Sequence, residues 1–256
     1  MKLGTYRVFI RTLRDVLIFE FDRGRLIVVG CDSAGGVGPK PLDKVKVDGY
    51  TLGRFTARVA LTEVLCTGAK PICLVNTLSV EPKPTGDHIV KGIKDEARRA
   101  GLDPSLAVTG SSEKNVPVEQ TGLGVTVIGT VPKDRLEVGL SRRNDAIVAI
   151  GTPCAGREVV SAEKKRKIAD LNDVLRLLAL DSIHGIIPVG SRGILHEART
   201  IAEESHLRFE LADRPKVDVK KSAGPATVIL ATLPSSELQN LLEEMDKPIN
   251  LIGNLL

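Results

Sequence analysis

The chain has 256 residues, 42% of them hydrophobic and 27% charged, enough to bury a substantial core in one large or two modest domains. Its net charge of +4 comes from dispersed basic residues, and with no Trp, two Tyr and five Phe it lacks the aromatic density that single-stranded nucleic acid needs for base stacking. No apolar run reaches membrane-spanning length or has the layout of a secretion signal. Cys31, Cys66, Cys73 and Cys154 form neither a CxxC pair nor a zinc-ligand spacing. These features predict a cytoplasmic protein with reduced thiols and no nucleic-acid or membrane partner.

In chain order, Tyr6 to Ile10, Val16 to Phe21 and Leu26 to Cys31 read as strands, with Asp22-Arg23-Gly24 turning between the last two. A glycine-rich loop follows, then a polar connection through Asp43 and Asp48. Arg54 to Thr67 reads as a largely buried helix between Gly53 and Gly68. Ile72 to Val80 reads as a strand ended by Pro82 and Pro84. Thr85 to Ala100 is an amphipathic helix with Ile89, Ile93 and Ala97 on one face. Leu106 to Thr109 and Gly122 to Val131 are strands.

The charged segment Pro132 to Asn144 separates two units, 1–135 and 145–256. In the second, Ala146 to Ile150 reads as a strand, and a helix lies within Ser161 to Leu180. It carries the basic run Lys164-Lys165-Arg166-Lys167 on a solvated face. A helix over Gly193 to Ser205, a strand over Leu207 to Leu211 and a strand over Ala226 to Leu233 follow. A helix from Ser235 to Met245 and a strand from Ile249 to Ile252 complete the chain. Strands spaced by helices throughout make the class α/β or α+β.

The richest stretch runs from Leu26 to Lys40. Four consecutive apolar residues make a buried strand that delivers Asp32 to a turn containing Gly35, Gly36 and Gly38. Glycines there let the backbone approach an anion, and successive N–H groups can form an anion-binding concavity. The pattern fits neither the P-loop nor the dinucleotide GxGxxG. Read alone, it is also what a strand-ending turn with an exposed Asp looks like. Further acids stand at Asp15, before a neighbouring strand, and at Glu63, inside the largely apolar helix. A carboxylate in such a helix is costly unless paired or metal-bound, so Glu63 is either an ion-pair partner of Arg54 or Arg58, or a ligand. Glu113, Lys114 and Asn115 lie in Thr109-Gly-Ser-Ser-Glu-Lys-Asn115, where small polar residues also suit a turn. Carboxylates converging from separate elements are what a magnesium site shared with phosphates requires. His88, His184, His196 and His206 are dispersed and build no nucleophilic triad.

These motifs resemble the superfamily of aminoimidazole ribonucleotide synthetase, thiamine-monophosphate kinase, selenophosphate synthetase and the hydrogenase maturation protein HypE. The family's Asp-Gly-Val-Gly-Thr-Lys matches Asp32 through Lys40 with two extra residues. Its Asp-(four residues)-Gly-Ala-x-Pro helix matches Glu63 through Gly68-Ala69-Lys70-Pro71. Ser111-Ser112-Glu113-Lys114 stands where Gly-Gly-Asp/Glu-Thr is usual, and Val127-Ile128-Gly129 matches a family strand ending. In the second half Ser191 to Leu195 stands where Ser-Asp-Gly-Gly-Leu is usual, and Ser222 to Leu230 and Ile252-Gly253 resemble the closing strands. Among the branches, Asp32-Ser-Ala-Gly-Gly-Val-Gly38 and Ser111 to Asn115 look most like α-ribazole kinases, which phosphorylate the 5′-hydroxyl of α-ribazole in salvage of the cobalamin lower ligand. Three departures stand out: Arg14 replaces one acid of the kinases' acidic pair, Glu63 replaces Asp, and Arg192 replaces the Asp of Ser-Asp-Gly-Gly-Leu.

The resemblance implies a two-domain PurM-like fold, with N-terminal strands forming a barrel at a homodimer interface and a C-terminal α/β domain closing the cleft. It implies an ATP-dependent phosphotransferase with a nucleoside-like acceptor. Asp15, Asp32, Glu63 and Glu113 would hold Mg2+. Gly35, Gly36, Gly38, Lys40, Lys114 and Asn115 would contact ATP, and Glu113 and Asp32 would be the catalytic acids. Two rivals share the fold: an ATP-dependent amide- or carbonyl-activating enzyme, and a non-catalytic assembly protein, to which Arg14 and Arg192 lend weight. The absence of a Cys or Lys in an N-terminal glycine-rich loop argues against selenophosphate chemistry.

Overall fold

The computed structural model describes residues 10–22 and 24–256; the expected strand Tyr6 to Ile10 lies outside these except for its last residue. The first half contains β1 (Ile10–Leu13), β2 (Val16–Asp22), β3 (Arg25–Gly35), β4 (Val37–Gly38), β5 (Val45–Lys46), α1 (Gly49–Leu65), β6 (Lys70–Leu78), α2 (Asp87–Arg99), α3 (Pro104–Ala107), β7 (Val108–Ser112) and β8 (Gly122–Pro132). The second contains β9 (Asp145–Gly151), α4 (Glu158–Lys164), α5 (Leu171–Leu178), β10 (Gly185–Pro188), α6 (Ile194–Glu204), β11 (Phe209–Leu211), β12 (Val228–Pro234), α7 (Leu238–Glu244) and β13 (Ile249–Leu255). The mixed α/β class is as the alternation of elements predicts.

Six strands form one open sheet in the order β1-β2-β3-β8-β6-β7, antiparallel except for the parallel pair β6–β7. Among the described residues the strands of the single chain do not close into a barrel. Alternation along each strand separates two faces. Val16, Ile18, Leu26, Val28, Leu74 and Val127 turn inward beneath α1 and α2. On the opposite face the row Leu17–Val29–Ile128–Cys73 runs in register across four strands. The second sheet, β10-β12-β9-β13-β11, is antiparallel throughout. Its central strand β9 is buried on both faces: Ala146, Val148 and Ile150 join the core shared with the first half, while Ile147 and Ala149 pack with α6.

The structure corrects several boundaries. β3 runs on through Asp32 to Gly35, because its ladder with β8 continues to Gly35–Gly122. Asp32 therefore stands within a strand and not at its end. α1 begins five residues earlier than Gly53 suggested, because Asp48 caps it by accepting the Thr51 N–H at 2.7 Å. Gly53 instead lies inside α1, at its crossing with α2: a Cβ there would overlap the Ile89 carbonyl, as one on Gly92 would overlap the Tyr50 carbonyl. The stretch Ser161 to Leu180 holds two helices, and the basic run falls on the end of α4 and a turn in which Arg166 has φ of 55°. β10 escaped the periodicity reading because it is short and buried at every position.

The α1–α2 crossing depends on that bare backbone contact. Gly53→Ala is expected to destabilise the chain by about 1–3 kcal/mol through overpacking, lowering Tm by roughly 2–4 °C per kcal/mol. Thermal unfolding followed by circular dichroism measures it, and an unchanged Tm would contradict the packing described.

Candidate active-site cleft

α1 is seated on the sheet through two glycines. Cβ atoms built at Gly30 and Gly129 would meet the two methyls of Val64 at 3.0 and 2.5 Å, so only glycine lets the helix lie this close. That seat brings Glu63, one residue before Val64, beside the inner face of β3. Asp32 lies on the same face as Val28 and Gly30, by the two-residue alternation of a strand. Towards its N-terminus α1 presents Leu52, Phe55, Thr56, Val59 and Glu63 in one stripe at helical spacing. This stripe lines a cavity of about 430 Å³ between the two halves of the chain, a size typical of small-molecule sites.

The cavity has an acidic end and an apolar wall. Asp15, from the β1–β2 turn, joins Asp32 and Glu63 in lining it. Val37, Val45 and Val47 line the opposite side with Val159 and Val160 of α4. The Phe55 ring is backed by the Arg58 guanidinium, 4.7 Å from its centroid. The second half closes the site with Val189 to Ser191, after β10, and with Gly224 to Ala226, before β12. Ser191 and the Gly224 to Ala226 loop fall in the stretches whose motifs resemble the C-terminal half of the family.

Glu63 is not paired with either arginine on its helix. Arg54 binds Glu163 at 2.6 Å, and Arg58 binds Glu96 at 2.6 Å and Glu163 at 3.0 Å. Among the described residues Asp15, Asp32 and Glu63 have no ion-pair partner. Burial pushes the Glu63 carboxyl up to about 8, with Asp15 adding to the shift and Arg14 opposing it. Burial likewise raises Asp32 to about 6, against a hydrogen bond from the Ser33 backbone. Glu197 of α6, 7% exposed, is raised to about 7 by burial and then by Asp15, with Arg192 opposing. Carboxylates gathered from both halves, which Arg14 and Arg192 offset only in part, suit a bound cation, which would favour their ionised forms. Among the described residues no three His, Cys, Asp or Glu side chains converge tightly enough to hold a metal by themselves. Magnesium needs only one or two carboxylates when phosphates and water complete its shell, so the donor set fits that ion in the company of phosphates.

Other expected site residues stand elsewhere. Glu113 follows β7 outside the cavity lining, and its carboxylate accepts the N–H groups of Asn115 at 2.7 Å and Val116 at 3.1 Å, which holds it below the usual carboxylate range. Lys114 and Asn115 are exposed in the same loop. Lys40 pairs with Glu81 at 2.5 Å. The Gly36 N–H donates to the Thr121 carbonyl at 3.0 Å, and Gly35 pairs with Gly122 in the β3–β8 ladder. Gly38, with φ of 145°, lies against Thr121 and Asp43. The glycines of this loop thus serve a close turn braced by Asp43, whose carboxylate accepts the Lys40 N–H at 2.8 Å, the Thr121 N–H at 2.8 Å and the Thr121 hydroxyl at 2.7 Å.

Two residues escaped the sequence reading. Glu197 was legible as an acid on the buried stripe Ile194, Ala198, Ile201 of its helix. Asp43, 5% exposed, had no such pattern around it.

Residues 14–131 match the family described as AIR synthase related protein, N-terminal domain, a match that spans the glycine-rich loop and all of α1. Over 127 residues the chain is 32% identical to phosphoribosylformylglycinamidine cyclo-ligase of Pyrococcus horikoshii, covering 47% of this chain and 36% of that protein. Over 171 residues it is 25% identical to selenide, water dikinase of Sulfurimonas denitrificans, covering 62% and 49% respectively. The chain thus matches between a third and a half of the length of these relatives. In fold it is similar to thiamine-monophosphate kinase of Stenotrophomonas maltophilia, with a TM-score of 0.63, 18% identity, and coverage of 99% of this chain and 90% of that one. The likeness in fold therefore extends over both halves of the chain.

The carboxyl shifts set a pH dependence for the metal-free protein. Glu63 titrates near its ordinary value of 4.5 when unfolded and near 8 when folded. Between those values the folded chain holds the extra proton, so stability falls as pH rises, with the full cost present above pH 8. Glu63→Gln is expected to raise Tm in EDTA, by a margin that is small at pH 5 and widens to pH 8. A margin independent of pH, measured by differential scanning calorimetry, would show Glu63 to be unperturbed.

Proposed function

We propose that the protein is an ATP- and Mg2+-dependent phosphotransferase that works as a homodimer and phosphorylates a nucleoside-like acceptor, with the 5′-hydroxyl of α-ribazole as the first candidate. The observation that carries this reading is the meeting of Asp15, Asp32 and Glu63, distant in sequence, at one end of an apolar-walled cavity. The cyclo-ligase, dikinase and kinase named above support an ATP-dependent class. The α-ribazole assignment rests on the motifs Asp32 to Gly38 and Ser111 to Asn115. Residues 1–135 would form the nucleotide-binding and dimerisation unit, and 145–256 the unit that closes the cleft.

In this reading one or two of Asp32, Glu63 and Asp15 would hold the magnesium ion, which when bound would neutralise charge on the phosphates. Val37, Val45, Val47, Phe55, Val159 and Val160 exclude water and receive an apolar ring. Asp32, which faces the cleft, is assigned to take the proton of the attacking hydroxyl on its carboxylate. That role falls to Asp32 rather than Glu113, which lies outside the cavity lining and has Oε1 held by two N–H groups of its own loop. The homodimer reading is supported by the outer sheet face, where Phe21 is 75% and Ile72 48% exposed beside the Leu17–Val29–Ile128–Cys73 row. A second copy laid on that face would cover it.

Incubation with ATP, Mg2+ and a panel of α-ribazole, thiamine phosphate and formylglycinamidine ribonucleotide is expected to yield ADP with phosphorylated α-ribazole. Cyclised ribonucleotide would assign the cyclo-ligase reading instead, and absence of any ADP would refute both. Asp32→Asn is expected to cut turnover by at least about 10²-fold with an unchanged circular dichroism spectrum; wild-type turnover would remove Asp32 from the site. Val29→Glu is expected to leave a folded monomer in light scattering, and a wild-type that is itself monomeric would rule out the homodimer.

A further inference from the structure

Arg14 occupies a place where the backbone favours another residue. It is the first residue of the two-residue turn that joins β1 to β2, with Leu13 paired to Val16, and its φ is 52°. Hairpin turns with a positive φ at this point favour glycine, because a Cβ crowds the following carbonyl. What holds an arginine there is its side chain, 4% exposed. Its Nε donates to Glu204 Oε1 at 2.8 Å and its Nη2 to Glu204 Oε2 at 2.7 Å, a two-pronged pairing. Its Nη1 donates to the Ile186 carbonyl at 2.8 Å and more weakly to the Cys66 carbonyl at 3.4 Å. One guanidinium thus ties the β1–β2 turn to the end of α6, to β10 and to the C-terminus of α1. The next residue, Asp15, lines the cleft.

We propose that Arg14 is a positioning residue: by locking the β1–β2 turn onto Glu204 and the Ile186 carbonyl, it fixes Asp15 at the acidic end of the cleft and holds the two halves of the chain in register across it. The role in catalysis rests on the phosphotransferase reading; the lock itself does not. Lysine cannot replace arginine here, since a single ammonium cannot grip both carboxylate oxygens and a carbonyl in one plane.

Arg14→Gly separates the lock from turn preference, because it supplies the residue the turn favours and removes the guanidinium. Arg14→Lys and Glu204→Gln leave the turn residue or its charge in place and remove the two-pronged pairing. If Arg14 acts as proposed, all three variants lower Tm, and amides 13–16 exchange with deuterium at least about tenfold faster. An Arg14→Gly chain as stable as wild-type, with unchanged exchange at the turn, overturns the lock. The action through Asp15 is read from the affinity for a non-hydrolysable ATP analogue with Mg2+. Arg14→Gly is expected to weaken it by about tenfold or more, yet to have no further effect in an Asp15→Asn background. An equal loss in both backgrounds overturns positioning through Asp15. If wild-type protein binds no Mg-nucleotide, the phosphotransferase reading fails, and Tm and exchange still decide the lock.

Discussion

The contact on which the site depends is the seating of Val64 over Gly30 and Gly129. A sheet with side chains at both positions would hold α1 farther away and let it slide along the strands. Because neither glycine has a Cβ, the helix is fixed in height and in register at once. Every functional consequence follows from that register. Glu63 falls beside the β3 face that carries Asp32, and the stripe from Leu52 to Val59 becomes the wall of the cavity. Packed interiors are stiff, so the positions of these side chains are set by close contact and not by their own preferences.

A second constraint is electrostatic. Arg58, 1% exposed, is bound to Glu96 of α2 and Glu163 of α4, and Arg54 shares Glu163. A buried pair of this kind gives little net stability, but removing one partner strands the other charge. Its effect here is geometric, since it joins α1 to helices from both halves of the chain. It also commits elsewhere the two arginines that share α1 with Glu63. Glu63 and Asp32 are therefore left without an ion-pair partner while largely shielded from water, which is why their carboxyls titrate high. An apolar helix carrying one unpaired acid into a cavity is a local conflict, and conflicts of this kind concentrate at functional sites.

Most element types, the turn between β2 and β3 and the unusual placement of Glu63 in an apolar helix were legible in the sequence, since each rests on local periodicity, turn residues or an acid out of place in an apolar run. What the sequence could not show was where the glycines spend their freedom. Gly35, Gly36 and Gly38 look like a phosphate cradle when read as a string. In space the Gly36 N–H belongs to Thr121, and the turn is braced by Asp43 from a connection with no pattern of its own. Gly53 looked like a helix boundary and is a helix crossing. Whether Glu63 pairs with Arg58 was open in the sequence; the pairing of Arg58 with Glu96 and Glu163, both distant in the chain, removes that alternative.

Arg14 stands where the motif resemblance leads to an acid, and it places positive charge beside Asp15 of the cleft. Glu204 takes two of the Arg14 donors, and the carbonyls of Ile186 and Cys66 take the third nitrogen, so the charge is spent against a carboxylate of the second half. Its influence on Glu63 and Glu197 runs in the direction of stabilising their ionised forms, yet both still titrate well above an ordinary glutamate. Burial and the shared neighbour Asp15 outweigh it. The cleft therefore remains acidic despite the charge reversal, and the substituted residue ties together the two halves between which a ligand would lie.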